Sequence, residues 1–331
     1  MSAHPDTQDS TDGAFESLQQ LRATLAEQLV GLDSLVERLL IALLTGGHLL
    51  IEGPPGVAKT RTINRFARLL DVSFARVQAT PDLLPADITG TDIFQQQSGE
   101  FRFNAGPLFN HIVLVDEVNR APPKVQSALL EAMGEHQITT NGITRKLAEP
   151  FLVAATQNPI EHEGTYPLPE AQLDRFMFFV NIELPCIEQE RLILDQVLNE
   201  ADPLAESADI DTLGSGELIL QARRAVPDVF LSEAVRDYIV RLVGATRGLG
   251  AGGKSASTIS QAASPRASIN LAIASRAKAW LDGRDFATPD DVAALAPDIL
   301  CGRIALDYRA RAAGTTTRQV IQELLDTTPR V

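Results

Sequence analysis

The sequence predicts an α/β fold: a parallel sheet flanked by helices, followed by a second domain made of helices alone. Two observations support the sheet. Short apolar runs typical of strands alternate with helical patterns as far as Pro185, and a glycine-rich turn, Gly53–Thr60, joins one such run to a helix. The third observation concerns the rest of the chain, where only helical patterns follow Pro185.

Composition and charge restrict the class of protein. With 331 residues, 44% hydrophobic and 22% charged, the chain is long enough for roughly two globular domains. Its net charge of -14 argues against broad nucleic-acid binding, which needs a basic face. Cys186 and Cys301 show no C-x-x-C spacing, which fits a reducing cytoplasm. We therefore expect a cytoplasmic protein without a nucleic-acid partner.

The N-terminal segment carries no targeting or membrane signal. Residues 1–14 are polar and acidic, so they are not a signal peptide, and we predict a disordered tail. The most apolar early segment, Leu35–Leu44, is interrupted by Glu37 and Arg38. No membrane insertion is therefore expected.

The elements around the glycine-rich turn follow from periodicity. Phe15–Leu44 has apolar residues at helical spacing, interrupted near Val30-Gly31, which predicts two helices meeting there. His48–Glu52 is the strand before the turn, and Thr60–Leu70 is the helix after it. Continuous apolar runs are typical of buried parallel strands. They predict four further strands: Ser73–Val77, Ile112–Asp116, Phe151–Ala155 and Phe176–Val180.

Two hairpins interrupt the α/β pattern. Asp92–Phe94 and Phe101–Phe103 flank a short polar segment, and Asn141-Gly142 is a dipeptide that favours a type I′ turn. A helix is predicted from Pro122 to about Met133.

The C-terminal half is predicted to be helical. The expected domains are 15–184, an α/β domain that contains the glycine-rich turn, and 185–331, which is helical. Residues 248–263, rich in Gly, Ser and Ala, predict a mobile loop. The predicted helices are Ile187–Leu198, Gly216–Ala225, Ser232–Thr246, Pro265–Asp282 and Thr288–Leu300.

The glycine-rich turn has the layout of a phosphate-binding loop. Backbone N–H groups of such a turn and the following helix surround an anion. Lys59 is expected to reach the β- and γ-phosphates, and the Thr60 hydroxyl to ligate Mg²⁺. The full candidate set is Gly53, Pro54, Pro55, Gly56, Val57, Ala58, Lys59, Thr60 and Arg61.

Position 58 departs from the usual pattern. The motif G-x-x-x-x-G-K-[ST] expects glycine there, and this chain has Ala58. Because alanine tolerates positive φ poorly, we expect an ordinary helical or extended conformation at Ala58. Gly53 and Gly56 are then expected to supply the special backbone.

Two acids end a buried strand. Ligands of parallel sheets lie at the carboxyl ends of strands, so Asp116 and Glu117 are expected to face the phosphate loop. Asp116 would hold Mg²⁺, and Glu117 would position and deprotonate the attacking water. An Asp-Glu pair is also common in surface turns. The phosphate loop upstream favours the catalytic interpretation.

Three further polar residues are candidates, each with an alternative. Asn158 follows the next strand and suits a contact with the γ-phosphate or the water, or simply an Asn-Pro turn. Arg175 is either a structural partner of Asp174 or an arginine finger. Arg266 begins a helix, where a cation opposes the dipole, and a phosphate contact would explain it.

Together these motifs resemble the AAA+ ATPases, and more narrowly the MoxR family. The resemblance extends from about Leu18 to Asp326. Its most specific segments are Leu114–Met133, Gly164–Phe176 and Asp282–Asp285. The chain departs from the family where it has Gly302-Arg303 instead of a His-Arg pair.

The resemblance implies a role for each candidate. Gly53–Thr60 is Walker A with a family-typical Ala58, and Asp116 and Glu117 are Walker B. Asn158 is sensor 1, Arg175 is the finger acting in trans, and Arg266 is sensor 2 of a helical lid domain. Val30 and Gly31 resemble the segment that contacts adenine. The two hairpins resemble insertions that face partners.

The implied function is that of an ATP-hydrolysing, Mg²⁺-dependent remodelling factor of chaperone-like character. The resemblance implies a homo-oligomeric ring, expected to be a hexamer, a protein client, and a partner with a von Willebrand factor A domain. Two alternatives stay open. One is an ATP-gated scaffold with little turnover, and the other is a DNA-acting motor, which the acidic balance disfavours.

Overall fold

A five-stranded sheet organises the N-terminal part of the chain. The computed structural model describes residues 5–54, 56–157, 165–199, 212–249 and 256–330. The strands are β1 Leu49–Glu52, β2 Phe74–Gln78, β3 Gly90–Gln95, β4 Glu100–Ala105, β5 Ile112–Asp116, β6 Gln137–Thr140, β7 Ile143–Lys146, β8 Leu152–Gln157, β9 Phe178–Asn181, β10 Ile259–Gln261 and β11 Ala305–Leu306. The order in the main sheet is β2-β5-β8-β1-β9.

The α-helices of the described residues include each one that the periodicity predicts, and four that it does not predict: Pro85–Thr89, Glu170–Leu173, Tyr308–Ala312 and Thr317–Thr327. In chain order, the α-helices are α1 Pro5–Gln28, α2 Asp33–Thr45, α3 Lys59–Leu69, α4 Pro85–Thr89, α5 Pro123–Glu135, α6 Glu170–Leu173, α7 Ile187–Asn199, α8 Gly216–Ala225, α9 Glu233–Ala245, α10 Pro265–Leu281, α11 Pro289–Leu300, α12 Tyr308–Ala312 and α13 Thr317–Thr327. The parallel sheet flanked by helices confirms the predicted fold class.

Parallel register brings the carboxyl ends of the strands together. Gln78 pairs with Asp116 across β2 and β5, and Glu52 pairs with Gln157 across β1 and β8. The middle of the sheet is apolar, and residues such as Leu114 and Ala154 are fully buried. Polar side chains therefore appear where the strands end, and this edge carries the candidate site.

The two predicted hairpins are linked to each other by side chains. Asn141 Nδ2 donates to Asp92 Oδ2 at 2.7 Å, and Arg145 Nη2 lies 3.6 Å from Asp92 Oδ1. The Arg145 guanidinium also lies over the Phe103 ring, 3.8 Å from its centroid. Asp92 and Phe103 belong to the β3–β4 hairpin, whereas Asn141 and Arg145 belong to the β6–β7 hairpin. The Asp92 carboxylate and the Phe103 ring thus join the β3–β4 hairpin to the β6–β7 hairpin.

The chain divides into two compact units. The first comprises Met1–Leu168 and Val180–Leu220, and the second comprises Pro169–Phe179 and Gln221–Val331. The predicted domain ranges, 15–184 and 185–331, differ from this division at the short segment Pro169–Phe179 and at residues 185–220. The segment that carries Arg175 thus groups with the helical C-terminal part.

The second unit has a helical core of its own. Helix α10 packs against α9 and α11, and α13 packs against α9 and α11. Buried leucines fill the space between them: Leu242, Leu271, Leu295 and Leu324. At the start of α11, Thr288 and Asp291 form a reciprocal capping box, which fixes the beginning of that helix.

Two expectations about irregular segments need correction. Residues 1–14 were expected to be a disordered tail, but α1 begins at Pro5 and Ala14 is buried. Extending a helix adds one hydrogen bond per residue, so the helix continues from its buried portion, Ala14 to Leu25, towards the N-terminus. The predicted loop 248–263 contains strand β10, and its residues 250–255 lie outside the described ranges.

None of the helices within the described residues combines the length and the apolar character that are needed to span a bilayer.

Candidate functional site

A cavity of about 430 Å³ opens at the carboxyl edge of the sheet. Its wall brings the phosphate loop together with residues from the ends of β2, β5 and β8. The lining residues are Gly53, Gly56, Val57, Ala58, Lys59, Thr60, Arg61, Arg76, Gln78, Asp116, Glu117, Thr156 and Gln157. Most of the predicted loop residues and both predicted acids therefore share one cavity.

The backbone of the loop differs from expectation at one position. Ala58 has φ 55° and ψ 22°, a left-handed conformation, so the expected ordinary conformation is wrong. The Ala58 carbonyl accepts both the Thr62 N–H and the Thr62 hydroxyl, each at 3.0 Å. These bonds begin helix α3 and offset the strain of a non-glycine residue with positive φ.

Gly56 and Gly53 are favoured as glycine for different physical reasons. Gly56 has φ 85°, which glycine adopts without strain. At Gly53 a Cβ would lie 2.6 Å from the Ile182 carbonyl oxygen, so the chain approaches too closely for any side chain. The motif assigns glycine to position 53 but not to position 56.

Lys59 is placed for an anion in the cavity. Its Nζ donates to the Gly53 carbonyl at 2.7 Å, which holds the ammonium across the loop. Burial lowers the pKa of Lys59, whereas the charges of Asp116 and Glu117 oppose that shift. An ammonium that is partly desolvated in this way gains from a phosphate, because the phosphate replaces lost hydration with opposite charge.

Asp116 is buried at the end of β5 and both of its oxygens are engaged. The Thr156 hydroxyl donates to Oδ1 at 3.3 Å, and Arg76 Nε donates to Oδ2 at 2.6 Å. Thr60, which carries a hydroxyl, lines the same cavity as Asp116 and Lys59. Mg²⁺ prefers one or two carboxylates together with phosphate oxygens, so this donor set fits Mg²⁺ bound with a nucleotide.

Glu117 is held by three polar contacts. Its backbone is left-handed, with φ 55°, and its N–H donates to the Thr156 hydroxyl at 3.0 Å. Its side chain accepts from Gln78 Nε2 at 3.2 Å, and Arg120 Nε lies 3.2 Å from the same oxygen. The strained backbone turns the carboxylate of Glu117 to the cavity instead of continuing the strand.

The segment after Glu117 is fixed by a buried amide. Gln126, on α5, donates from Nε2 to the carbonyls of Val118 and Tyr166, at 3.3 and 3.2 Å. Tyr166 N–H in turn donates to the Asn119 carbonyl at 2.6 Å. A buried amide with its partners in place rigidifies the turn that follows Glu117.

Some predicted site residues are not among those that line the cavity. Pro54, Val30 and Gly31 lie in described parts of the chain but outside that set. Gly31 has φ 77°, a backbone conformation that favours glycine, and a Cβ there would lie 2.9 Å from the end of the flexible Gln189 side chain. Pro55 and Asn158 lie outside the described residues.

In the second unit, Asp174 is the centre of a polar cluster. Ser264 Oγ donates to Asp174 Oδ2 at 2.9 Å, and Arg266 Nη1 lies 3.5 Å from the same oxygen. Arg303 Nε donates to Oδ1 at 2.9 Å. Arg266 therefore has an acidic partner beside a helix N-terminus that would otherwise repel it. Arg175, the next residue after Asp174, is exposed.

Sequence reasoning missed four residues that line the cavity. Gln78 ends β2, and Thr156 and Gln157 end β8, so the rule that selected Asp116, that ligands lie at the carboxyl ends of parallel strands, applies equally to these three positions. Arg76 lies in the middle of β2, where that rule gives no signal. Sequence reasoning also missed the role of Arg303, since nothing local indicates a partner 129 residues away.

Comparison with family models matches two segments. Residues 48–178 match the ATPase family associated with various cellular activities (AAA), and residues 254–324 match the AAA lid domain. The first segment contains the lining residues of the cavity. The second contains Arg266.

Full-length relatives and a solved structure agree with these matches. The chain is 43% identical over 330 residues to chaperone MoxR1 of Mycobacterium tuberculosis, covering 98% of this chain and 86% of that protein. It is 30% identical over 317 residues to protein MoxR of Methylorubrum extorquens, covering 91% and 90%. The crystal structure of a candidate ATPase from Cytophaga hutchinsonii superposes with a TM-score of 0.90 and 40% identity, covering 98% of both chains.

Proposed function

Because the chain belongs to the MoxR family of AAA+ ATPases, we propose that it binds ATP with Mg²⁺ and hydrolyses it to ADP and phosphate. The observation that carries this proposal is the single cavity lined by Lys59, Thr60, Asp116 and Glu117. An ammonium, a hydroxyl and two carboxylates around a glycine-rich turn are the groups that phosphoryl transfer requires.

Each residue has one task in the proposed reaction. Backbone N–H groups of the loop and Lys59 bind and orient the phosphates. Thr60 and Asp116 would hold Mg²⁺, which neutralises charge on the phosphate oxygens when it is bound. Glu117 accepts a proton from the attacking water. Since phosphoryl transfer depends on positioning and charge, the rigid setting of Glu117 and Asp116 matters as much as their identity.

Residues beyond the cavity complete the proposal. Asn158 is proposed to contact the γ-phosphate or the water, Arg175 to act on the nucleotide of a neighbouring subunit, and Arg266 to act as sensor 2. Support for Arg175 is its exposure and the family to which the chain belongs. An arginine supplied in trans requires a neighbouring subunit, and we propose that the subunits form a hexameric ring. ATPase activity per subunit is then expected to rise with protein concentration.

We further propose a chaperone-like role in the cytoplasm, acting on a protein client. The relative in Mycobacterium tuberculosis is named a chaperone, and the β3–β4 hairpin exposes Phe94 and Phe101. Exposed aromatic residues are typical of protein-binding surfaces. A partner with a von Willebrand factor A domain remains part of this proposal and rests on the family resemblance.

The decisive experiment compares steady-state ATP turnover of wild type, Glu117→Gln and Glu131→Gln at equal protein concentration. Glu131 is an exposed glutamate of α5 outside the cavity lining, so it is the matched control. Loss of the base is expected to lower kcat by at least about 100-fold while ATP still binds. Turnover in Glu117→Gln equal to that of wild type would instead favour the ATP-gated scaffold.

A further inference from the structure

Arg76 is held against Asp116 inside the cavity. Its Nε donates to Asp116 Oδ2 at 2.6 Å, and it shares the cavity wall with Lys59 and Thr60. The other oxygen of Asp116 accepts from the Thr156 hydroxyl. The carboxylate expected to hold a metal ion therefore already has a cationic partner of its own.

A guanidinium and a divalent cation cannot share this carboxylate without cost. The Asp116 side chain is only 10% exposed, so its oxygens offer few free directions. Two cations on one small anion repel each other at short distance, and the repulsion is stronger where water is scarce. Binding of a metal ion to Asp116 therefore opposes the contact with Arg76.

Arg76 is able to leave Asp116 without rearranging the sheet. Its side chain is 54% exposed, and ion pairs of that exposure are weak. Its backbone stays paired with Leu114 of β5, so only the side chain needs to move. Arg76 Nη2 also donates at 3.5 Å to Oε1 of Gln78, which is the next residue along β2 that lines the cavity.

We propose that Arg76 is a resident counter-ion of Asp116 that a divalent cation displaces, and that Arg76 thereby sets the Mg²⁺ concentration needed for nucleotide binding. This proposal rests on the proposed function, because it takes Asp116 as a residue that holds Mg²⁺ with ATP. Without a metal ion, Arg76 neutralises Asp116 and keeps its negative charge away from the phosphates.

The test is an Mg²⁺ titration of the binding of a fluorescent ATP analogue to the full chain. Wild type, Arg76→Gln, Arg76→Lys and Arg102→Gln are compared. Arg102 is an exposed arginine of the β3–β4 hairpin and does not line the cavity, so it controls for loss of one positive charge. The readout is the Mg²⁺ concentration at half-maximal enhancement of binding, which does not depend on turnover.

Arg76→Gln is expected to lower that Mg²⁺ concentration about two- to fivefold, the range that a weak, partly exposed ion pair supports. Arg76→Lys, which keeps the charge without the planar fork, is expected to shift it in the same direction by a smaller factor. Arg102→Gln is expected to match wild type. A half-saturating concentration in Arg76→Gln equal to or above that of wild type overturns the proposal, and Arg76→Lys decides by the same criterion if Arg76→Gln does not fold.

The same data separate the two proposals. If wild type binds no nucleotide at any Mg²⁺ concentration, the proposed function fails, and the role of Arg76 fails with it. If wild type binds with Mg²⁺ and the Arg76 variants titrate as wild type does, only the role of Arg76 fails.

Discussion

At the scale of single residues, two non-glycine residues with left-handed backbone border the cavity. Ala58 and Glu117 both have φ 55°. Such conformations cost about 1–2 kcal/mol in a non-glycine residue and persist only where surrounding contacts fix them. Here those contacts are the bonds from Thr62 to the Ala58 carbonyl and from Glu117 N–H to Thr156. The loop and the general base are therefore positioned by backbone conformation as well as by side chains.

Ala58→Gly and Ala58→Val test the role of this conformation. Ala58→Gly relieves the strain, but the unfolded chain gains conformational freedom. The unfolding free energy of this variant is therefore expected to stay within about 1 kcal/mol of wild type, and ATP binding is expected to be retained. Valine is β-branched and a true outlier at positive φ, so it is expected to cost at least about 1–2 kcal/mol and to weaken ATP binding. Urea unfolding and titration with ATP measure both. Full ATP affinity in Ala58→Val would contradict the role assigned to this backbone.

Lys59 leads to a prediction about pH. Burial lowers its pKa, although Asp116 and Glu117 oppose this, so the free protein loses this positive charge at a lower pH than an ordinary lysine would. ATP affinity is therefore expected to fall as pH rises from about neutral to about pH 10. Lys59→Arg keeps its charge throughout and is expected to show a flatter profile. Equal slopes in the two proteins would show that Lys59 is not the group responsible.

At the scale of elements, Arg303 joins the short segment before β9 to the end of α11. Its side chain is 1% exposed, and besides Asp174 it donates to the carbonyls of Met177, Phe176 and Ile299. Burial lowers the pKa of Arg303, and the charge of Asp174 opposes the shift. Four residues from two separate segments, Asp174–Met177 and Ile299, thus depend on one guanidinium.

Arg303→Ala is expected to destabilise the chain by about 3–5 kcal/mol, because it removes the donor to Asp174 Oδ1 and to several buried carbonyls. Arg330→Ala is the matched control. Arg330 pairs with Asp290 at 2.7 Å, but the two side chains are 48% and 81% exposed, so a loss of no more than about 1 kcal/mol is expected. Urea unfolding measures both. Equal losses in the two variants would contradict the structural role of Arg303.

At the scale of the whole molecule, the elements whose signals are local were predictable. The five strands of the main sheet lie within a few residues of their apolar runs, and both hairpins lie at their turn residues. The helix α13 was not predicted, although Val320, Ile321, Leu324 and Leu325 have helical spacing and are buried. That omission was a failure to read a signal that is present in the sequence.

Other features had no local signal. The order of strands depends on pairing between segments far apart, and no pattern within a strand specifies its neighbour. For the same reason, only some of the residues that line the cavity could be predicted. The motif selected Lys59 and Thr60, and the strand end selected Asp116, whereas Arg76 resembles any charged residue on an exposed strand face. Its partner becomes visible only once β2 lies beside β5.

The position of β1 in the sheet has a consequence for synthesis on the ribosome. β1, which leads into the phosphate loop, lies between β8 and β9, and β9 ends at Asn181. A growing chain thus leaves β1 without either neighbour until β8 is complete at Gln157, about 105 residues after Glu52, or roughly 5–21 s at 5–20 residues per second. During translation, ATP has no completed pocket to enter until β8, whose last residues line the cavity, has been made.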